Sequence, residues 1–295
     1  MALIMTLAAC VGEEPPRPDD PSLEEGGTHP VVFAPGVLST TGDEGYATFT
    51  PDGRTVYFVR YEAFGGDGLT TIVHSTFEDD VWSEPEPAPF SGDHPDHMPF
   101  VSPDGSHLYF IAKRSASSLP RDDYDLWRVP LQGEPSNAER LGDSVNSTAN
   151  EYGPSLDRAG NLYFASDRDG GYGSGDLYRA DRSGSEFSPA VNLGDTVNGD
   201  SGEWGTAVAP DGSFLIFESS GRPENVSFSG DLYVAFREGE GWSSPRNFGE
   251  PVNSTGSEPG PRLSPDGRYL FFASNRGDSL DLYRVFLAPL LNDAR

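Results

Sequence analysis

The stretch LSPDGRYLFFAS (residues 263–274) joins two apolar segments through a Pro-Asp-Gly turn. Pro and Asp favour such a turn and Gly accepts positive φ, so the stretch predicts a β-hairpin. Four more versions occur along the chain: FTPDGRTVYFVR (49–60), VSPDGSHLYFIA (101–112), SLDRAGNLYFAS (155–166) and VAPDGSFLIFES (208–219). Their turn glycines are spaced 52, 55, 52 and 55 residues apart: Gly53, Gly105, Gly160, Gly212 and Gly267. A regular period of this length indicates a repeat protein.

Two further strands are predicted in most repeats. The third strands are DLWRV (125–129), DLYRA (176–180), DLYVA (231–235) and DLYRV (281–285), with a degenerate LTTIVHS (69–75) in the first repeat. The fourth strands are ERLGDSVNS (139–147), AVNLGDTVNG (190–199) and PRNFGEPVNS (245–254). Four antiparallel strands without a helix make one propeller blade, so the sequence predicts an all-β, five-bladed β-propeller. A parallel β-helix is the alternative, but its repeats are much shorter.

The fifth repeat ends after its third strand, at Val285-Phe286. Its missing fourth strand has a counterpart near the N-terminus, where VVFAPGVLST (31–40) is similar to NFGEPVNST (247–255). We therefore expect an N-terminal strand to complete the last blade and close the ring, which removes the exposed edges of an open sheet. The propeller is assigned to residues 31–287 and a C-terminal tail to residues 288–295.

The composition agrees with this fold and excludes other classes. With 35 Gly and 26 Pro in 295 residues, long α-helices are not expected. The net charge of −27 repels phosphate backbones, so nucleic acid is not an expected partner. A hydrophobic fraction of 35% with 12% aromatic residues indicates a folded core rather than overall disorder.

The N-terminus carries the one cysteine of the chain, Cys10. Leu7-Ala8-Ala9-Cys10 resembles a bacterial lipobox, in which the thiol is lipidated, so residues 1–10 are interpreted as the remnant of a lipoprotein signal. A basic region before the apolar run is lacking, so either the true start lies upstream, which we favour, or the similarity is accidental. Residues 11–30 are rich in Pro and acids and are predicted to form a disordered tether.

The Ser-Pro-Asp-Gly turn, the Leu-Tyr-Phe strand and the later Asp-Leu-Tyr resemble the repeat of the TolB-like β-propeller family over about residues 31–286. Many members are bacterial periplasmic or envelope proteins, and some are lipid-anchored. The resemblance implies the same compartment here, and the lipobox, without an Asp at Val11, implies an outer-membrane lipoprotein facing the periplasm or the exterior. TolB's α/β domain has no counterpart in the sequence, so its envelope role does not carry over and the ligand stays open.

An acidic residue stands nine positions before each turn glycine: Glu44, Asp96, Glu151, Glu203 and Glu258. An arginine follows the second strand of each hairpin: Arg60, Arg114, Arg168, Arg222 and Arg276. Because a hairpin returns the chain to its starting face, acids and arginines are expected on one face, near the central channel. Five Arg–carboxylate pairs that staple the blades are favoured, since Arg matches a carboxylate with two hydrogen bonds. A carboxylate ring that holds Ca²⁺ is the alternative, and no other metal or cofactor is predicted.

One residue after the acids, the five repeats differ: Gly45, His97, Tyr152, Trp204 and Pro259. His97, Tyr152 and Trp204 are able to stack on a ligand, and variable Gly-rich loops follow on the same face. We interpret them as a platform for a sugar, a peptide or a partner loop. Packing at the rim of the propeller is the alternative interpretation.

No nucleophile elbow, zinc-protease helix or phosphate loop occurs in the sequence. An acid paired with Arg is expected to have a lowered pKa, which makes a poor general acid. We therefore expect a non-enzymatic, monomeric binding or scaffold module for an envelope protein or a glycan. The alternative is a propeller glycoside hydrolase or lyase with paired carboxylates at the channel mouth. An unpaired, buried carboxylate pair there would favour the enzyme.

Overall fold

The computed structural model describes residues 27–61, 70–114, 122–132 and 138–295. The lipobox with Cys10 and nearly all of the predicted tether lie outside these residues, so lipidation stays a prediction. Within the described ranges the chain forms five antiparallel sheets of four or five strands, which are the blades of a five-bladed propeller, and one separate two-stranded hairpin. The predicted fold class is confirmed.

The strands follow the chain from blade to blade. The first strand along the chain is β1 (Val31–Val32). Blade 1 follows with β2 (Asp43–Phe49), β3 (Thr55–Tyr61), β4 (Thr70–Glu78), β5 (Val81–Trp82) and β6 (Glu86–Pro87). Blade 2 contains β7 (Asp96–Val101), β8 (His107–Ala112), β9 (Asp125–Pro130) and β10 (Glu139–Arg140). Blade 3 contains β11 (Glu151–Leu156), β12 (Leu162–Ser166), β13 (Asp176–Ala180), the hairpin β14 (Arg182–Ser183) with β15 (Glu186–Phe187), and β16 (Val191–Asn192).

Blade 4 contains β17 (Gly202–Val208), β18 (Phe214–Ser220), β19 (Asp231–Glu238), β20 (Gly241–Trp242) and β21 (Arg246–Asn247). Blade 5 contains β22 (Arg262–Leu263), β23 (Tyr269–Ser274) and β24 (Asp281–Phe286), and the chain continues into a helix, α1 (Leu287–Asp293). The first strands of the blades contact one another around the centre, as β11 does with both β7 and β17. A residue at the start of a first strand therefore lies near the central channel.

The repeated hairpin turns form as the sequence predicts. All five turn glycines have positive φ, at 68°, 68°, 86°, 71° and 70° in chain order. In blade 2 the turn is fixed by Asp104, whose Oδ1 accepts hydrogen bonds from the hydroxyls of Ser102 (2.6 Å) and Ser106 (2.7 Å). These donors stabilise the ionised carboxylate and lower the pKa of Asp104 to about 2.

The fourth strands are only two residues long because a buried asparagine continues the pairing. The amide oxygen of Asn146 accepts from the backbone N–H of Leu126 (2.7 Å), and its nitrogen donates to the Leu126 carbonyl (3.0 Å). Asn198 brackets Leu177 in the same way in blade 3, and Asn253 brackets Leu232 in blade 4. In these three blades a side chain thus replaces one step of a backbone ladder.

The N-terminal strand closes the ring. β1 pairs antiparallel with β24, with Val31 opposite Arg284. Ser39 takes the place of the bracketing asparagine, since its hydroxyl accepts from the N–H of Leu282 at 3.1 Å. Phe33, 1% exposed, packs edge-on against Phe271 of blade 5 with ring centroids 5.1 Å apart. The predicted closure of the last blade is confirmed.

The segment expected to be a C-terminal tail begins instead as α1. Leu287 and Leu290 of this helix are buried in a core cluster that contains Val234 of blade 4 and Val285 of blade 5. Apolar residues at i and i+3 lie on one face of a helix, which explains this packing. The helix therefore covers the outer ends of two neighbouring blades.

Candidate functional site

The five predicted acids lie near the start of the first strands, and each is fully buried, at 0% exposure. Asp96 and Glu151 begin their strands, Glu44 and Glu203 are second in theirs, and Glu258 lies four residues before β22. Each has its predicted arginine beside it. The shortest nitrogen–oxygen distances are 3.6 Å for Arg60–Glu44, 2.6 Å for Arg114–Asp96, 2.9 Å for Arg168–Glu151, 2.7 Å for Arg222–Glu203 and 3.3 Å for Arg276–Glu258. We call these five pairs the acid–arginine ring.

The pair in blade 4 shows how the ring joins the blades. One nitrogen of Arg222 donates to Glu203 at 2.7 Å and to the carbonyl of Val197 at 2.6 Å. Val197 precedes blade 4 and belongs to the outer segment of blade 3, so this guanidinium connects two blades. Its planar group also lies over Phe217 and Tyr233, 5.8 and 5.2 Å from the ring centroids. Contacts of this type stabilise a buried guanidinium.

Burial dominates the pKa of three ring carboxyls. It raises the pKa of Asp96, Glu151 and Glu203, although each arginine acts in the opposite direction. The lowered pKa expected from the sequence is therefore wrong for these three, because desolvation at zero exposure outweighs the guanidinium. Across the described ranges, no three His, Cys, Asp or Glu side chains are grouped so as to hold a metal ion. The geometry favours the staple over a calcium ring.

The aspartates that begin the third strands bind either the preceding loop or the fourth strand of the same blade. Asp231 accepts from the backbone N–H groups of Val226 (2.6 Å) and Ser227 (3.0 Å). Asp125 receives two hydrogen bonds from Arg140, at 2.7 and 2.9 Å. These carboxylates, like those of the ring, are therefore engaged in structural contacts.

A β-bulge interrupts the first strand of four blades directly after the residue that differs between repeats. The next residue has positive φ in all five blades: Tyr46 (60°), Met98 (52°), Gly153 (50°), Gly205 (29°) and Gly260 (68°). A Cβ added to Gly153 would lie 2.4 Å from the Cα of Gly205, so the backbones touch here. Bulges of this kind re-aim side chains and are frequent beside functional sites.

Arg262 is a buried cation beyond the bulges. It is 1% exposed and lies further along the first strand of blade 5. Its guanidinium donates to the carbonyls of Thr206 in blade 4 (2.9 Å) and Pro99 in blade 2 (3.2 Å). Burial lowers the pKa of Arg262 to about 10, which still leaves it charged at neutral pH. A cation bound to backbone carbonyls of blades 2 and 4 therefore lies at the centre of the propeller, and we call the entrance on the ring side of Arg262 the mouth.

Two of the three predicted platform residues come together at this mouth. The rings of Tyr152 and Trp204 meet edge to face, with centroids 5.2 Å apart and planes at 88°. Both side chains are partly exposed, as a ligand platform requires. The Tyr152 hydroxyl lies 3.4 Å from Asp167, and burial is the main cause of its raised pKa.

His97 belongs to a different cluster. Its ring packs against Tyr46 and Tyr61, with centroids 4.7 and 5.3 Å away, and its Nε2 lies 2.9 Å from the Tyr61 hydroxyl. Burial lowers the pKa of His97 to about 3, so the imidazole is neutral at physiological pH. Its Nδ1 is buried without a hydrogen-bond partner among the described residues. The structure therefore places His97 apart from the Tyr152–Trp204 pair.

Glu218 is a candidate that the sequence reasoning missed. It follows the Phe of the second strand, where the other repeats have Val59, Ile111, Ala165 and Ala273. It is the direct cross-strand partner of Trp204 and is 9% exposed. Burial, with a smaller contribution from Glu258, raises the pKa of Glu218 to about 7. When the five repeats are aligned on that Phe, the next residue is apolar in four of them and acidic only at Glu218, and this difference is the sequence signal for the site.

Glu218 also differs from the ring acids in its contacts. Within the part of the chain that the structure describes, its carboxylate makes no hydrogen bond and no ion pair, and its oxygens are not among the fully buried atoms that lack a partner, so they retain contact with solvent. Every ring acid, in contrast, has an arginine within 3.6 Å. Glu218, Trp204 and Tyr152 together are called the mouth site below.

The fold and this site define a class of protein: a five-bladed β-propeller with a buried arginine at its centre and an aromatic pair at the ring-side entrance. No family model matches the chain, and no curated protein matches it. A protein of Agrobacterium tumefaciens assigned as TolB is similar, with a TM-score of 0.51 and 18% identity over 80% of this chain and 71% of that chain. An α-L-arabinofuranosidase from Lactobacillus brevis has a TM-score of 0.52 and 12% identity over 84% and 91% of the two chains.

At such identities these similarities establish the fold alone. The TolB-like propeller architecture is confirmed in that sense. In the described part of the chain, no helix is both long enough and apolar enough to traverse a bilayer.

Proposed function

We propose that this chain is a non-enzymatic binding module whose ligand, a protein or a glycan, docks at the mouth site. The observation that carries the proposal is the contrast between the carboxylates that arginines bind within the fold and the side chains that are free to contact a ligand. Every ring carboxylate has an arginine within 3.6 Å, whereas Tyr152 and Trp204 are partly exposed beside Glu218, which forms no ion pair within the described residues. Rigid blades that present aromatic rings and one polar group at the mouth suit recognition.

A single carboxylate supports binding better than glycoside hydrolysis. Hydrolysis of a glycosidic bond ordinarily needs two carboxyl groups that face the substrate. Glu258, the carboxylate that acts on the pKa of Glu218, is bound by Arg276 (3.3 Å) and by the Ser254 hydroxyl (2.5 Å). A second candidate function, a glycoside hydrolase or lyase, is favoured by one observation, the pKa of about 7 at Glu218, which suits a general acid or base.

The proposal places the module in the bacterial cell envelope, as a monomer attached to the outer membrane through lipid on Cys10. The lipobox-like Leu7-Ala8-Ala9-Cys10 and the fold shared with a TolB protein support this location. The closed ring supports a monomer, because the outermost strands β1, β10 and β16 are only two residues long and offer little edge for pairing with a second copy.

The test is a set of thermal melts of the full chain with cell-envelope glycans, envelope protein fractions, and Ca²⁺ or EDTA. A ligand that binds only the folded state raises the melting temperature by mass action. We expect a rise with one glycan or one protein fraction, which Trp204→Ala abolishes. A rise that Trp204→Ala and Glu218→Ala both leave intact would move the site elsewhere. Sugar release that Glu218→Gln abolishes would overturn the non-enzymatic assignment.

A further inference from the structure

The carboxylate of Glu218 occupies space that a glycine leaves for it. A Cβ added to Gly230 would lie 2.6 Å from Oε1 of Glu218 and 3.3 Å from its Cδ. On the two neighbouring strands Glu218 pairs with Trp204 and with the buried Leu232. An acid is therefore fitted into the sheet at this position, between an aromatic and an aliphatic neighbour.

The fold itself has no need of this acid. The other four blades carry Val, Ile or Ala at the same position, and their sheets are built in the same way. An ionised carboxylate that is nine-tenths buried without a partner is costly to keep. A group that lowers stability in this way is retained where it acts on something outside the fold.

A cation is the partner that such a group lacks. A ligand ammonium would form a charge-assisted hydrogen bond with Glu218, and the neighbouring Trp204 and Tyr152 rings offer faces that attract cations. A compact ammonium with three donors suits a narrow position better than a planar guanidinium does. The net charge of −27 draws cations towards the surface. An anionic ligand would instead add repulsion to a charge that is already uncompensated.

The loop that ends at Gly230 indicates what kind of molecule carries the ammonium. Phe228 in this loop is 99% exposed, while the adjacent Ser227 is 3% exposed. The loop is fixed around the phenylalanine, because Asp231 accepts from the Ser227 N–H and the Ser227 hydroxyl accepts from the Ser229 N–H (both 3.0 Å). A fully exposed phenyl ring on a fixed loop favours contact with an apolar side chain. A polypeptide supplies both an apolar side chain and an ammonium, whereas an amino sugar supplies only the ammonium.

We propose that the mouth site binds a polypeptide segment of a partner protein, with a lysine side chain or free amino terminus on Glu218 and an apolar residue on Phe228. This inference rests on the proposed binding function and deepens it by naming the ligand class. The repeat pattern in the sequence does not predict this ligand class, because Glu218 and Phe228, the two residues that indicate it, are not repeated in the other blades.

The experiment measures binding of the full chain to a short peptide of alternating lysine and leucine with a free amino terminus. The comparison probes are the same peptide with every amine acetylated, and a chitosan oligosaccharide with free amines. We expect acetylation to weaken binding at least tenfold, Glu218→Ala to weaken binding of the free peptide by a similar factor, and Phe228→Ser to weaken it several-fold. Glu218→Ala introduces a residue that blades 3 and 5 already carry at this position, so it is expected to fold.

Glu240→Gln is the matched control, because it removes the same charge from an exposed loop position. It should leave binding unchanged, which separates contact at Glu218 from attraction by net charge. Equal binding of free and acetylated peptide, both lost in Trp204→Ala, would overturn this inference and leave the binding function standing. Binding of chitosan alone would overturn the polypeptide assignment. Absence of any binding of the free peptide at millimolar concentration would also overturn this inference, whereas the binding function is tested separately by the melts with glycans and envelope proteins.

Discussion

The acids of the acid–arginine ring and the residues that directly follow them lie one position apart near the start of the first strands. The acids are the same in kind in every blade, whereas the residues that follow differ. At the ring, all five blades carry an acid and a nearby arginine. One residue later the blades carry Gly, His, Tyr, Trp and Pro, five different side chains. Each blade has to be joined to its neighbour, so the joining chemistry is repeated. A ligand at the mouth contacts only some of the blades, so the residues that meet it differ.

The same contrast separates two kinds of buried carboxylate. Glu203 of the ring is compensated by Arg222 and by hydrogen bonds, so its loss of solvation is offset within the fold. Glu218 is uncompensated within the described residues and stands where an apolar side chain fits. If the comparison is correct, ring variants lower stability, whereas variants of Glu218 raise stability and lower binding.

The largest effect is expected from Arg222→Ala. This change leaves Glu203 buried at 0% exposure without its guanidinium, and it removes the link to Val197. Breaking one partner of a buried pair typically costs about 3–5 kcal/mol of unfolding free energy. Urea unfolding at pH 7 measures the loss. A cost below about 1 kcal/mol would show that the ring does not join the blades.

Glu218→Ala is expected to stabilise the protein in a pH-dependent manner. The pKa of about 7 in the folded state lies above the ordinary value of 4.5 in the unfolded chain. The carboxyl therefore lowers stability as pH rises from 4.5 to 7, and by a constant amount above that. The shift corresponds to about 3 kcal/mol. Relative to the native chain, the variant should therefore gain about 3 kcal/mol between pH 4 and pH 8.

Urea unfolding of both proteins at pH 4 and pH 8 checks this prediction. The groups that interact with Glu218 are Glu258, Tyr46 and Tyr61, and none of them is altered by the substitution. A difference between the two proteins that is the same at both pH values would contradict the assignment of an uncompensated charge.

Asn198→Ala tests a repeated position outside the ring. The change removes the hydrogen bonds that bracket Leu177 (2.8 and 3.0 Å) and leaves backbone groups of a buried strand unpaired. We expect a loss of about 1–3 kcal/mol in unfolding free energy, with ligand binding intact. Urea unfolding measures the loss of stability, and a parallel binding assay measures ligand affinity. Weakened binding at unchanged stability would show that this repeated position contacts the ligand and does not stabilise the fold.

The smallest effect is expected from Arg60→Ala. Arg60 is 34% exposed, its Nε has no hydrogen-bond partner in the described ranges, and it lies 3.6 Å from Glu44. Glu44 is held independently by the backbone N–H and the hydroxyl of Thr40 (3.0 and 2.7 Å). A solvent-screened pair of this kind contributes about 0.2–1 kcal/mol, which urea unfolding resolves from the Arg222 value. A loss equal to that of Arg222→Ala would mean that the five pairs are equivalent.

Most of the fold follows from the sequence because each hairpin turn is decided by neighbouring residues. Ring closure is also predictable, since residues 31–40 repeat a pattern found elsewhere in the chain. The bulges are different, because Tyr46 and Met98 adopt positive φ where no Gly announces it. Their conformation is imposed by contacts with neighbouring blades, which a local pattern does not contain.

The site was predictable only in part, for similar reasons. Trp204 and Tyr152 were visible as departures from the repeat, but His97 was grouped with them because its partners, Tyr46 and Tyr61, come from blade 1. Glu218 lies six residues after its turn glycine, in line with Val59, Ile111 and Ala273, so the departure is present in the sequence. Its burial and its lack of an ion pair depend on contacts between strands, which the repeat pattern does not contain.

The closure of the ring by β1 has a consequence for synthesis of the chain. Ser39 and Leu282, which bond across the closing sheet, are separated by 243 residues. At about 5–20 residues per second, ribosomes need roughly 10–50 s to make the second after the first. Throughout that interval β1 and Phe33 lack β24 and the rest of blade 5, against which they pack in the folded protein. Contacts this distant in sequence form slowly. β1 therefore stays unpaired until β24 reaches it, and the same holds for a chain that arrives unfolded in the envelope, as the proposed location requires.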